Sequence, residues 1–203
     1  MIKRIPKLFY YFIFILSFLF GDTGGGKLSL ILIGNVGSFS PVVNNFTTIY
    51  GNSNYNLRGG LGLGWNKSFF LIKYNQFNAE GESIVKSIDL TGSATWNQEF
   101  ISLGFRYYPE KNYYSEVGII LGKVKETITT SVPILTDLNT DFSTNQNQGG
   151  YFLYGFNFPF ILGIVINGEI EYDLIYLKPY KNNRNDNLNL GGPMINVGAS
   201  IVF

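Results

Sequence analysis

Three stretches carry residue types that chemistry could use. Gly21 to Leu28 reads GDTGGGKL, which matches a phosphate-binding loop as far as its lysine. That loop then needs Ser or Thr for magnesium and a helix to receive the phosphate. Here Leu28 stands in that place and strand-like alternation follows, so the stretch reads as a linker. Gly59 to Gly64, GGLGLG, likewise lacks the following helix of a dinucleotide site and reads as a strand face that needs small residues. Glu169, Glu171 and Asp173 recur at every second position, about 7 Å apart on one face of a strand. Such a row could gather a hard cation, or it could pair with Arg58, Lys73 and Arg106. Charges in a narrow interior are costly unless paired, so pairing is the expectation. The chain has no His, the commonest general acid–base group near neutral pH. No spacing suggests a Ser–Lys or paired-carboxylate catalyst either, so the expected class is a non-enzyme with no cofactor and no metal.

The elements that must position these residues follow from a period of two. Eight segments alternate: Lys27 to Gly37, Tyr55 to Trp65, Ser68 to Asn78, Asn97 to Tyr108, Tyr113 to Val124, Gly149 to Phe156, Phe160 to Leu174 and Leu190 to Phe203. Short turns at Asn66-Lys67, Pro109 to Asn112 and Asn157 to Pro159 alternate with long connections. The long ones are Ser38–Asn54, Ala79–Trp96, Lys125–Gln148 and Ile175–Asn189. Tight turns at one end and long loops at the other are the asymmetry of a transmembrane barrel. The expected fold is all-β, an eight-stranded antiparallel transmembrane β-barrel. Ser83–Leu90 and Thr127–Leu135 also alternate; they either extend the neighbouring strands above the membrane or form an extra hairpin, so a ten-stranded alternative stays open.

Composition agrees. Charged residues are 14% of the chain, aromatics 17%, and there are 24 Gly, against about 25% charged in ordinary globular domains. Such a protein has an exterior that need not face water. Aromatics gather where strands meet the short turns: Trp65, Phe69, Phe70, Tyr107, Tyr108, Tyr113, Tyr114, Phe156, Phe158, Phe160 and Phe203. They read as an interfacial girdle. The more polar faces carry Arg58, Lys73, Arg106, Glu116, Glu169, Glu171 and Asp173, expected as a lumenal charge network.

Lys3, Arg4 and Lys7 precede the uncharged run Leu8 to Phe20, too short for a bilayer core of about 30 Å. Residues 1–21 are therefore expected to be a signal peptide and 22–203 the barrel domain. Removing those three cations leaves 12 basic against 14 acidic residues, which gives no footprint for nucleic acid. There is no Cys, hence neither a disulfide nor an acceptor for a lipoprotein's lipid.

FRYYP at Phe105 to Pro109, YYSEVGIILG at Tyr113 to Gly122 and NVGASIVF at Asn196 to Phe203 resemble the small bacterial outer-membrane barrels of the OmpA and OmpX type. The resemblance implies an outer-membrane location, outer-membrane lipid and the insertion machinery as partners, and Phe203 as an insertion signal. The Asn, Ile, Phe, Tyr and Lys usage is similar to that of spirochaetal barrels. Such barrels are associated with adhesion to host matrix proteins and capture of complement regulators from serum, while others in the class are small channels (porins). The loop residues expected to make such contacts are Phe39, Phe46 and Tyr50 in the first long connection and Lys178, Lys181 and Arg184 in the last. A monomer is expected.

Overall fold

The structure is a computed structural model that describes residues 28–42, 46–51, 54–85, 90–130, 140–161, 164–176 and 190–203. The expected signal segment, and Lys178, Lys181 and Arg184, lie outside the described residues. Eight antiparallel strands close into one barrel in sequence order: β1 (Leu28–Phe39), β2 (Tyr55–Trp65), β3 (Ser68–Val85), β4 (Leu90–Glu110), β5 (Tyr113–Thr130), β6 (Thr140–Ile161), β7 (Ile164–Tyr176) and β8 (Pro193–Val202). β8 returns to pair with β1, from Ile31↔Val202 to Phe39↔Met194, so no strand is left at an edge along the barrel's common height. The ten-stranded alternative is thereby excluded.

The β2–β3 turn takes two residues, with Asn66 at φ 55°. Asn is among the few residues that enter this left-handed region readily, and a positive φ matches the twist of a tight hairpin. The expected turn at Asn157–Pro159 is instead strand: β6 continues to Ile161 and β7 begins at Ile164.

The strands differ in height. β3 pairs with β2 only as far as Asn78↔Tyr55, but with β4 to Val85↔Leu90. β4–β5 pairing runs to Gly92↔Thr130 and β5–β6 pairing to Ile128↔Thr140. Much of the expected loops Ala79–Trp96 and Lys125–Gln148 is thus strand, forming a tall wall of β3 to β6 above the shorter β7-β8-β1-β2 half. A helix of one turn, α1 (Phe46–Tyr50), lies against β3. Phe46 and Tyr50, four residues apart, share its buried face. Gly51 at φ 70° ends the turn. Gly81 lets the helix in: a Cβ there would overlap the Ile49 carbonyl.

Candidate functional site: a stacked lumen

Apart from register shifts near Tyr107, Gly122 and Pro159, side chains alternate between the lumen and the outer wall, and the lower wall is apolar. Leu32, Leu61, Leu63, Ile72, Ile101, Leu103, Val117, Ile119, Phe152, Tyr154, Ile170, Ile195 and Val197 are all exposed. On β6 the outward row Phe152, Tyr154, Phe156, Phe158 and Phe160 is wholly aromatic. A protein surrounded by water does not present so continuous an apolar surface. The same surface suits hydrocarbon.

The lumen is layered. Read upward from the Asn66-Lys67 turn, the inward residues of β3 are Phe69 and Leu71, then Lys73 and Asn75, then Phe77 and Ala79. The lowest layer closes the end that bears the short turns. Ile31, Ile33, Phe69 and Leu71 pack there against Tyr108, which lies 5.7 Å from the Phe69 ring and 5.2 Å from that of Tyr114, centroid to centroid. Phe69, Tyr108 and Tyr114 were expected in the girdle. Their place in the strand alternation turns them inward, so they plug the barrel. Trp65, Phe70, Tyr107, Tyr113, Phe156, Phe158, Phe160 and Phe203 remain on the outer wall.

The middle layer is the charge cluster. Arg106 reaches Glu116 at 2.8 Å and Glu169 at 2.9 Å. Arg58 lies 3.1 Å from Glu169 and 2.6 Å from Glu171. Lys73 contacts Glu116 at 2.6 Å and sits 3.9 Å from Glu171. Register dictates these meetings. Arg106 is directly opposite Glu116 on the neighbouring strand, whereas Glu169 reaches Arg58 and Arg106 across the lumen. Asp173 is fully buried above Glu171, so four carboxylates face three cations among the described residues.

Sequence reasoning missed the neutral members, among them Asn75, which accepts from Arg58 at 3.2 Å. Asn35 donates to Glu169 at 2.6 Å and Tyr114 donates to it at 2.8 Å, while the Tyr151 hydroxyl donates to Glu116. Strand parity held the signal, since Tyr114 lies two residues from Glu116 and on its face. Glycines make room for the rings: a Cβ at Gly155 would run into Tyr114, and one at Gly104 into Tyr151. Arg106 stacks 3.9 Å from the Tyr114 ring centroid and Lys73 lies 4.3 Å from that of Tyr151. Among the described residues no group of three or more acidic side chains is placed to hold a metal ion. Glu169 and Glu171 face guanidinium and ammonium groups instead.

The upper layer is apolar. Phe39, Phe46, Tyr50, Phe77, Ala94, Trp96, Phe100, Ile120, Val124, Ile175, Leu190 and Met194 pack together around α1, in one cluster that continues downward through Leu153 to the Tyr114 and Tyr151 rings. Phe46 meets Trp96 edge-on at 5.3 Å and Phe39 meets Phe77 at 4.9 Å. Phe39, Phe46 and Tyr50 were expected as exposed contact residues. They are 1%, 2% and 6% exposed, because α1 folds back over the barrel mouth and buries them. They cannot touch a partner while that cap is in place. Tyr50 donates to Glu126 at 2.7 Å, and burial together with that carboxylate raises the energy of its ionised form.

The whole arrangement is an apolar exterior around an ion-paired, plugged interior. In fold the chain is similar to Ail, the attachment invasion locus protein of Yersinia pestis, with a TM-score of 0.55 at 12% identity, over 88% of this chain and all of Ail. The fold is that of an eight-stranded outer-membrane barrel. Ail in complex with the heparin analogue sucrose octasulfate matches with a TM-score of 0.52 at 12% identity, over 88% of this chain and 99% of that one. Neisserial surface protein A matches at 10% identity with a TM-score of 0.45, over 88% and 97%. No family model and no curated protein sequence matches the chain.

Proposed function

We propose that the protein is an integral outer-membrane barrel whose tall wall and connecting loops form a binding surface for host or environmental macromolecules. The occlusion of the lumen at three levels carries this reading. With the interior filled by its own side chains, as eight strands dictate, the rim is what remains for interaction, and rigidly held loops are where binding sites concentrate. The short turns, the start of β1 and the end of β8 then face the periplasm, with Phe203 read by the insertion machinery. The monomeric barrel contacts lipid directly. A spirochaetal source rests on composition alone.

The last connection, with Lys178, Lys181 and Arg184, suits an anionic partner. Ail has been crystallised with a heparin analogue, so heparin belongs beside matrix and serum proteins in the screen. Deleting residues 131–139 or 177–189 should reduce binding of whole cells to at least one of these without loss of the folded barrel. Unchanged binding to all of them, with reduced solute uptake, would overturn the reading.

A small-solute channel is the alternative, supported by the polar middle layer. Planar-bilayer recording separates the two: large stable steps from purified monomer would favour the channel. Removing Phe203 should slow insertion, and normal assembly without it would remove that residue's assigned role.

A further inference from the structure

β1 and β8 carry the same tripeptide, Asn35-Val36-Gly37 in one and Asn196-Val197-Gly198 in the other. We infer that the two copies form a key that sets the register in which the barrel closes. The key holds whatever the rim binds. Every other pair of neighbouring strands is consecutive in the chain, so a connecting segment limits how far one slides past the other. β1 and β8 have no such connection. Apolar parity does not replace it. Leu32 and Val36 face outward on β1, as Ile195 and Val197 do on β8, and a slip of two residues keeps every side chain on its own face.

In the observed register Asn35 faces Gly198, Val36 faces Val197 and Gly37 faces Asn196. The strands run antiparallel, so one sequence set against its own copy puts Asn over Gly on both rungs. Each amide lies across the seam on its partner. A Cβ at Gly198 would overlap the Asn35 amide oxygen and the Gly34 carbonyl, and one at Gly37 would overlap those of Asn196 and Ile195. Each buried amide then bonds to the strand beyond the seam. Asn35 of β1 donates to Glu169 of β7 at 2.6 Å, and Asn196 of β8 accepts from Asn56 of β2 at 3.2 Å. A slip destroys both rungs. Two residues one way set Asn35 against Asn196 and bring Ile33 onto Gly198. Two residues the other way set Gly37 against Gly198, which leaves both amides without a seat.

The chain has no Cys, so an engineered disulfide can report the register. Ile33→Cys with Ser200→Cys marks the observed one, in which these residues are paired. Ile31→Cys with Ser200→Cys marks the slip that sets Asn on Asn, and Ile33→Cys with Val202→Cys marks the other. Bridging needs Cα atoms within about 7 Å. The whole protein is refolded from urea into detergent micelles and oxidised, and bridging is scored in the folded, heat-modifiable band. With the natural seam only the first pair should bridge. In a background of Asn35→Gly with Asn196→Gly, slipped bridging should rise about tenfold or more. Exchanging all four positions (Asn35→Gly, Gly37→Asn, Asn196→Gly and Gly198→Asn) again sets Asn over Gly on both rungs, and should restore the observed bridge alone. Slipped bridging in the natural seam, or none in the glycine background, would overturn the proposal. If the glycine background does not fold, the exchanged protein decides alone. Its folding in the observed register supports the key; slipped bridging or loss of its folded band would show that the bonds to Glu169 and Asn56 hold the seam, and would overturn it.

Discussion

β4 holds two opposite arrangements of one strand. Below Phe100 its outward residues are Ile101, Leu103, Phe105 and Tyr107, and its inward residues are Ser102, Gly104 and Arg106. From Phe100 upward the pattern inverts, with Phe100, Trp96 and Ala94 buried inside around one hydrogen-bonded amide, Gln98, and Glu99, Asn97, Thr95 and Ser93 facing out. β3 inverts at the matching height, where Tyr74 gives way to Gln76, and β5 where Leu121 gives way to Lys123. Register joins these positions: Gln76 opposes Glu99, and Glu99 opposes Lys123 with a 2.9 Å ion pair. The same ladder of hydrogen bonds thus serves two solvents. Where hydrocarbon lies outside, the polar groups go inside and must find each other. Where water lies outside, the strands build an ordinary apolar core. Alternation is fixed by the backbone, while the medium decides which parity is apolar.

The two regions should fail differently. The largest effect belongs to the charged layer. Arg106→Met strips Glu116 and Glu169 of a shared cation, and breaking a buried pair in this way costs about 3–5 kcal/mol. Urea unfolding in detergent micelles should register it. Adding Glu116→Gln and Glu169→Gln should recover most of the loss, and failure to recover would mean that shape rather than charge holds the layer. Next comes the apolar layer. Trp96→Ala removes the ring that meets Phe46 and Tyr50 and should cost about 3 kcal/mol. Here the damage should stay above the belt: protease should cut residues 43–53 faster while the barrel keeps its folded gel mobility. Collapse of the whole barrel would show that the two regions are one cooperative unit.

A smaller effect concerns the cap. Tyr50→Phe loses the bond to Glu126 and should cost about 1 kcal/mol. The same contact predicts a pH dependence. Burial and Glu126 favour the neutral phenol, so the folded state holds its proton more tightly than the unfolded chain. The stabilisation is complete below the ordinary tyrosine value near 10 and is lost progressively as pH rises beyond it. Amide exchange around α1 should accelerate above about pH 10 in the natural protein and much less so in Tyr50→Phe. The smallest effect is at the boundary: Lys123→Gln should leave the unfolding midpoint unchanged, because an exposed pair in water contributes little.

Strand number, the Asn66-Lys67 hairpin and the outward-facing set were legible because period two is a local signal, repeated in each strand, whereas the turn expected at Asn157–Pro159 fell inside β6. β2 ran from Tyr55 to Trp65 as expected. The seven lumenal charges were legible as a set because each lies opposite the apolar parity of its strand. Their partners were not, since Arg58 meets Glu169 across 111 positions of sequence. The upper layer escaped for a physical reason: a search for outward apolar parity loses the strand where the parity inverts. Ala79 to Glu82 and Thr91 to Trp96 therefore read as loop, while Ser83–Leu90 kept enough alternation to read as a strand extension or an extra hairpin. Phe46 and Tyr50 read as exposed because a single helical turn is too short to show a period.

The row of Gln76, Glu99 and Lys123 is also a ruler. From it down to the aromatic rim, the outer wall offers hydrocarbon a fixed height. On β6 the outward aromatic row alone, Phe152 to Phe160, is roughly 20 Å tall once a strand tilt of about 40° is allowed for. A thicker bilayer would have to thin around the barrel, or the Glu99–Lys123 pair would have to enter its core, each at a cost that grows with the mismatch. The depth of the barrel in its membrane is thus set by where three strands change parity.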